Sequence, residues 1–270
     1  MKKNYFFVLA AIVALTLSAC VTDEKPAPLS TSINYHFIPD TLLGAGTVSF
    51  STLSANWTVE KAGIVFGEIG VHWEEPFAPR STELLGANLR HDTPGGRPSP
   101  KIRDFFAIDL LKSQQIQKLT VEAGTYSHIH MIVTNDLYVF DVLNNPAGVR
   151  NIDAFAELKG GRSYYFSGKV SGIDGGEERD FEIFTAETFS ENDIGDMMFR
   201  ASIYDNESYS FYMSPRLEKW FSLINFANLT YGENGKILIN ENNNQTEAQN
   251  FKGFLAENDF MLLQIKRDGE

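Results

Sequence analysis

Val121-Glu122-Ala123-Gly124-Thr125-Tyr126-Ser127-His128-Ile129-His130-Met131-Ile132-Val133 is the stretch from which the fold is read. Gly124 marks a turn, and the residues after it alternate as a strand does. Ser127, Ile129, Met131 and Val133 then share one side and suit a core, while Tyr126, His128, His130 and Ile132 share the other. Strand geometry sets the Cα atoms of His128 and His130 roughly 7 Å apart. The same pattern recurs upstream in Gly63 to Glu74. There Val65, Ile69, Val71 and Trp73 are expected on one face, with Ile64, Phe66, Glu68, His72 and Glu74 on the other.

Working outward, short runs of the same kind fill most of the chain. Ser32 to Ile38, Thr47 to Phe50, Asp136 to Val142, Met198 to Tyr204 and Tyr209 to Met213 read as strands. Ser163 to Val170 and Asp180 to Thr185 flank Gly172-Ile173-Asp174-Gly175-Gly176, a hairpin signal. The last part differs. Pro215 to Leu223 places Leu217, Trp220 and Phe221 at helical spacing, Lys236 to Ile239 reads as a strand, and Thr246 to Glu257 again reads as a helix. The expectation is a mostly β fold, an antiparallel β-sandwich over residues 32–213. A small α+β part with two short helices, residues 214–270, is expected to pack on it.

The N-terminus carries a different signal. Lys2 and Lys3 precede the apolar run Tyr5 to Thr16, which is short for a membrane span. Leu17-Ser18-Ala19-Cys20 follows and resembles a bacterial lipobox. That resemblance implies a signal peptide over residues 1–19, acylation (palmitate and its like) at Cys20, and a lipidated, proline-bearing tether over residues 20–31. Val21 in place of aspartate then implies sorting to the outer membrane, facing either the periplasm or the outside.

Cys20 is the only cysteine, so no disulfide can form within the chain and stability must come from a core. Loss of Lys2 and Lys3 would take the net charge from −12 to −14, leaving 21 basic against 35 acidic residues. Such a balance gives no footprint for nucleic acid and leaves membrane attachment to the acyl chains.

Chemistry concentrates on the histidines. Imidazoles at alternate strand positions can reach one ion, and a neighbouring strand would add His72 and Glu68. His128, His130, His72 and Glu68 are therefore the candidate metal ligands, with copper or zinc as the ion. Nothing marks an enzyme: the chain has no Gly-x-Ser-x-Gly elbow, no His-Glu-x-x-His helix and no cysteine nucleophile, and the chain is read as non-catalytic. Clusters such as Tyr164-Tyr165-Phe166 could stack on sugars or fill a core. The polar stretch Glu75 to Arg103 reads as a long loop that could hold an envelope protein or a glycan.

Two family resemblances rest on this middle part. Phe106-Ala107-Ile108-Asp109-Leu110-Leu111 followed by Ala123-Gly124-Thr125-Tyr126, within residues 64–133, resembles a domain-of-unknown-function family of bacterial lipoproteins. It implies a β-sandwich on a lipid tether. The order strand, loop, then Gly124-Thr125-Tyr126-Ser127-His128-Ile129 is also weakly similar to the methanobactin-associated copper-binding exported proteins; no ligand is carried over. The reading is an exported, lipid-anchored binding or structural protein of the cell envelope that holds a transition metal on strand histidines. Its alternative is a surface protein- or glycan-binding module without metal.

Overall fold

A computed structural model describes residues 31–39, 46–73, 101–102, 106–121, 123–135, 138–140, 146–148, 155–189, 197–232, 234–257 and 260–269. The first strands are β1 (Ser32–Phe37), β2 (Val48–Ser51), β3 (Ala55–Trp73), β4 (Lys101–Ile102), β5 (Phe106–Asp109), β6 (Gln114–Thr120) and β7 (Gly124–Val133). Then come β8 (Tyr138–Phe140), β9 (Pro146–Gly148), β10 (Tyr164–Gly172), β11 (Arg179–Thr185), β12 (Met197–Ile203) and β13 (Ser208–Pro215). Helix α1 (Leu217–Ser222), β14 (Ile237–Ile239), helix α2 (Gln245–Gly253) and β15 (Met261–Arg267) complete the order. The fold is mostly β with two short helices near the C-terminus, as expected.

Two sheets carry it. One runs β15-β13-β1-β6; the larger runs β12-β7-β3-β10-β11-β14, with β2, β4 and β5 also paired to β3. The ladders are antiparallel except β1 with β13 and β11 with β14. Phe37 of the first sheet stacks on Phe66 of the second at 5.2 Å, and Phe199 meets Phe211 edge-on at 5.4 Å, so the core lies between the sheets.

Strand β3 shows how one chain segment serves that core over nineteen residues. Ala55, Trp57 and Val59 are buried in it, then Ala62, Ile64 and Phe66, then Ile69 and Val71. The phase of the alternation changes twice, from odd to even and back to odd. Each change coincides with a register shift: between Ser167 and Gly168 opposite Glu60, and between Phe66 and Glu68 opposite β7. A bulge inserts one residue and turns the following side chains over.

The expected faces are corrected accordingly. Ile64 and Phe66 stand with Ile69 and Val71 in the main core, while Val65 packs on the outer face with Ala107, Phe155, Leu158 and Tyr165. A third shift, between His72 and Trp73, lies opposite Ser127. It places Tyr126 in the core beside Ile129, Met131 and Val133, not on the histidine face.

The C-terminal part is woven in. The boundary expected at residue 214 falls inside β13, β14 extends the larger sheet, and β15 extends the smaller. Helix α1 buries Leu217, Trp220 and Phe221. Phe221 meets Phe50, Trp57, Phe166, Phe181 and Phe251 edge-on, at 4.9 to 5.9 Å between ring centroids. Such pairs contribute about 0.5–1.5 kcal/mol each beyond the area they bury. The Trp220 indole nitrogen donates to the Phe260 carbonyl at 3.1 Å, so its burial leaves no donor unmet.

Two substitutions test this packing. A Cβ on Gly168 would lie 1.9 Å from the Thr58 carbonyl oxygen, a backbone atom that cannot swing away. Gly168→Ala should therefore cost about 2–3 kcal/mol in denaturant unfolding, while Gly160→Ala, where a Cβ meets nothing within 4 Å, should cost little. Tyr35 is fully buried, and its hydroxyl alone among the buried side-chain polar atoms of the described residues finds no hydrogen-bond partner. Burial pushes that hydroxyl above the ordinary phenol range. An unmet buried hydroxyl costs about 1–3 kcal/mol, so Tyr35→Phe should leave the melting temperature unchanged or raise it; a clear fall would contradict the unpaired hydroxyl.

Candidate functional site

The ladder between β3 and β7 decides where the expected ligands stand. His72 lies directly opposite His128, Gly70 opposite His130, and Glu68 opposite Ile132. The strand adjacency that a shared site requires is therefore present. The imidazoles of His72 and His128 are stacked, with centroids 4.3 Å apart and planes 12° from parallel. Both residues are half-buried, on the side of the sheet away from the core. The Ser127 hydroxyl and His128 Nδ1 lie 2.9 Å apart, which fixes the orientation of that ring.

The bulge at Ser127 is what makes this pair. Without the extra residue Tyr126 would join the histidine face; with it, the largest ring of the segment goes to the core. His130 stands two positions along the same ladder, across from a glycine. On its other side β7 pairs with β12, and Met198 stands across from His128. Sequence reasoning missed that methionine position, because strand order between distant segments leaves no local pattern. The side chains of Glu68, His130 and Met198 lie outside the described set, as do Cys20 and Glu75 to Pro100 of the expected loop.

Two stacked imidazoles are not yet a chelate. Both nitrogens must come within about 2.0–2.1 Å of one zinc ion, so the rings would have to open from the stack toward a common point. Among the described residues no group of three His, Cys, Asp or Glu side chains is assembled for a metal. The site that is described is a pair.

A second feature lies at the first bulge of β3. A cleft of about 450 Å³ is lined by Glu60, Lys61, Asp109, Leu111, Lys112 and Phe155, among others. Lys61 pairs with Glu157, and Lys112 with Asp109 at 2.7 Å. Asp109 Oδ1 also accepts from the Leu111 amide at 3.0 Å. Each lysine is thus already answered by a carboxylate. The hydrogen bond from Lys61 holds the Glu157 carboxyl below the ordinary range, against the upward push of partial burial. Asp109 and Lys112 are three residues apart in one segment, whereas Glu157 arrives from a distant one.

Comparison with protein-family models, curated proteins and solved structures found no match to this chain.

The cleft supplies a pH test. A carboxylate whose folded value is depressed stabilises the fold above its unfolded value and loses that contribution as pH falls through the folded one. Lys61→Met should move the Glu157 titration upward in an NMR pH series. It should cost less than about 1 kcal/mol at neutral pH, since the Lys61 side chain is half exposed. The stability gap between parent and variant should close on acidification; a gap that widens would contradict the pair.

Proposed function

We propose that the chain is an exported, lipid-anchored protein of the bacterial outer membrane that binds a transition metal, copper or zinc, on one face of its larger sheet. The observation that carries the metal reading is the direct cross-strand placement of His72 against His128. His72 and His128 supply two imidazoles, and His130, two ladder positions away, supplies the third. Glu68 completes the set if an oxygen ligand is taken. The anchor rests on Lys2-Lys3, the apolar run and Leu17-Ser18-Ala19-Cys20. Among the described residues no helix is long and apolar enough to cross a membrane. A protein- or glycan-binding surface module is the second reading, and it does not require the histidines.

The test is elemental analysis and titration with copper and zinc of the full-length protein in detergent. The expected result is one metal per chain, with affinity lowered about tenfold or more by His72→Ala and by His128→Ala, as removal of a ligand or its support does. His36→Ala serves as the control, because that ring stacks on Tyr212 elsewhere. Equal binding by parent and both variants would end the metal reading and leave the imidazoles as packed rings. Loss of membrane fractionation and of labelled palmitate in Cys20→Ser is expected for the anchor.

A further inference from the structure

Six large apolar residues are exposed among the described residues. Tyr204 lies beside Thr31 and Leu262 on β15 of the smaller sheet, whereas Leu53 (98% exposed), Ile173 (45%), Leu223 (37%) and Tyr231 (49%) belong to the end of the sandwich where β3 begins. Three loops meet there, and Ser54 holds them together. Its hydroxyl donates to the Ile224 carbonyl at 3.1 Å and accepts from the Phe226 amide at 3.2 Å, while its carbonyl accepts from the Ile173 amide at 3.3 Å. The surface is therefore preformed, which lowers the ordering cost of binding. An apolar patch of this kind with a polar rim marks an interaction surface.

Two observations say what covers it. Thr31, from which the N-terminal stretch departs, is hydrogen-bonded to Tyr204 and Asn206 at the opposite end of the sheets. The nineteen-residue β3, bulged three times, sets the two ends at most about 60 Å apart, and the stretch from Cys20 to Ser30 reaches at most about 40 Å. The apolar end thus faces away from the point of attachment. Its rim carries more acid than base: Asp174, Glu177, Glu178 and Glu218 are exposed, against Lys219 beside Glu218, Lys169 paired with Glu178, and Arg179, which pairs with Glu177 and lies over the Tyr231 ring. Like charge on a chain of net charge −12 opposes a second copy and an anionic bilayer alike.

We propose that this end docks a protein partner that presents an apolar face flanked by lysine or arginine. The proposal takes from the preceding reading only that the chain is held by its N-terminus. It is independent of the histidine pair.

The experiment replaces Leu53, and separately Ile173, with a photo-crosslinking phenylalanine derivative in the full-length protein, in cells that make it. The expected result is an adduct to the same protein from both positions, mapped by mass spectrometry to a peptide with basic residues beside apolar ones. That adduct should disappear in Leu223→Asp and weaken in an Asp174→Lys/Glu218→Lys variant, with unchanged melting curves as the fold control. Adducts to itself, to lipid or to peptides without basic residues would overturn the proposal, as would yields no higher than from exposed Asn242. Cys20→Ser reports the anchor separately. Fractionation that persists in it sinks the anchor alone, and absent crosslinks in a properly anchored chain sink the docking end alone.

Discussion

Strand β3 is the constraint from which the rest of the structure follows. It pairs with β2, β4, β5, β7 and β10, so every neighbour in the larger sheet inherits its register. A strand this long cannot keep one strict alternation and also place Glu60, Lys61 and His72 away from the core. The bulges reconcile the two demands. Each costs one unpaired residue in the ladder, and each lets the next apolar run return to the same interior. The first also opens the charged cleft, and the one opposite Ser127 separates Tyr126 from His128.

The interior that this strand faces combines Ile, Val and Leu side chains with a connected cluster of aromatic rings. Trp57, Phe166, Phe181, Trp220, Phe221 and Phe251 meet mostly edge-on, an arrangement that matches ring edges to ring faces. Helix α1 is too short to be stable alone. It holds because its apolar side enters this cluster. A buried carboxylate secures the same region: Glu247 of α2 accepts from the Asn225 amide at 2.9 Å and from Asn228 at 3.1 Å. The C-terminal residues are thus part of the sandwich itself, closing both sheets in a chain without disulfides.

Much of this was legible in the sequence, and the remainder was hidden for definite reasons. Alternation located β1, β2, β7, β10, β11, β12, β13 and β14, and helical spacing located α1 and α2. The face assignments of Ile64, Phe66, Val65 and Tyr126 failed because period-two counting assumes an unbroken ladder. The only local cues to the breaks were the polar neighbours Glu60-Lys61 and the glycine at Gly67. Strand β6, Gln114–Thr120, carries too few apolar residues to announce itself. β12 and β13 follow one another in sequence yet enter different sheets, a long-range choice that no short window records. The opposition of His72 and His128 was an assumption in the sequence, and the ladder realises it; Met198 beside them had no sequence signal at all.

The bulge opposite Ser127, the histidine face and the proposed metal site all require that opposition. The most direct measurement is a nuclear Overhauser spectrum of histidine-labelled protein, in which only five histidines contribute signals. Single His→Ala variants assign them. Rings stacked at 4.3 Å predict direct cross-peaks between the His72 and His128 imidazole protons, and a shift of the His72 signals when His128 is removed. Cross-peaks absent from this pair, together with His72 signals indifferent to His128→Ala, would contradict the register and the site built on it.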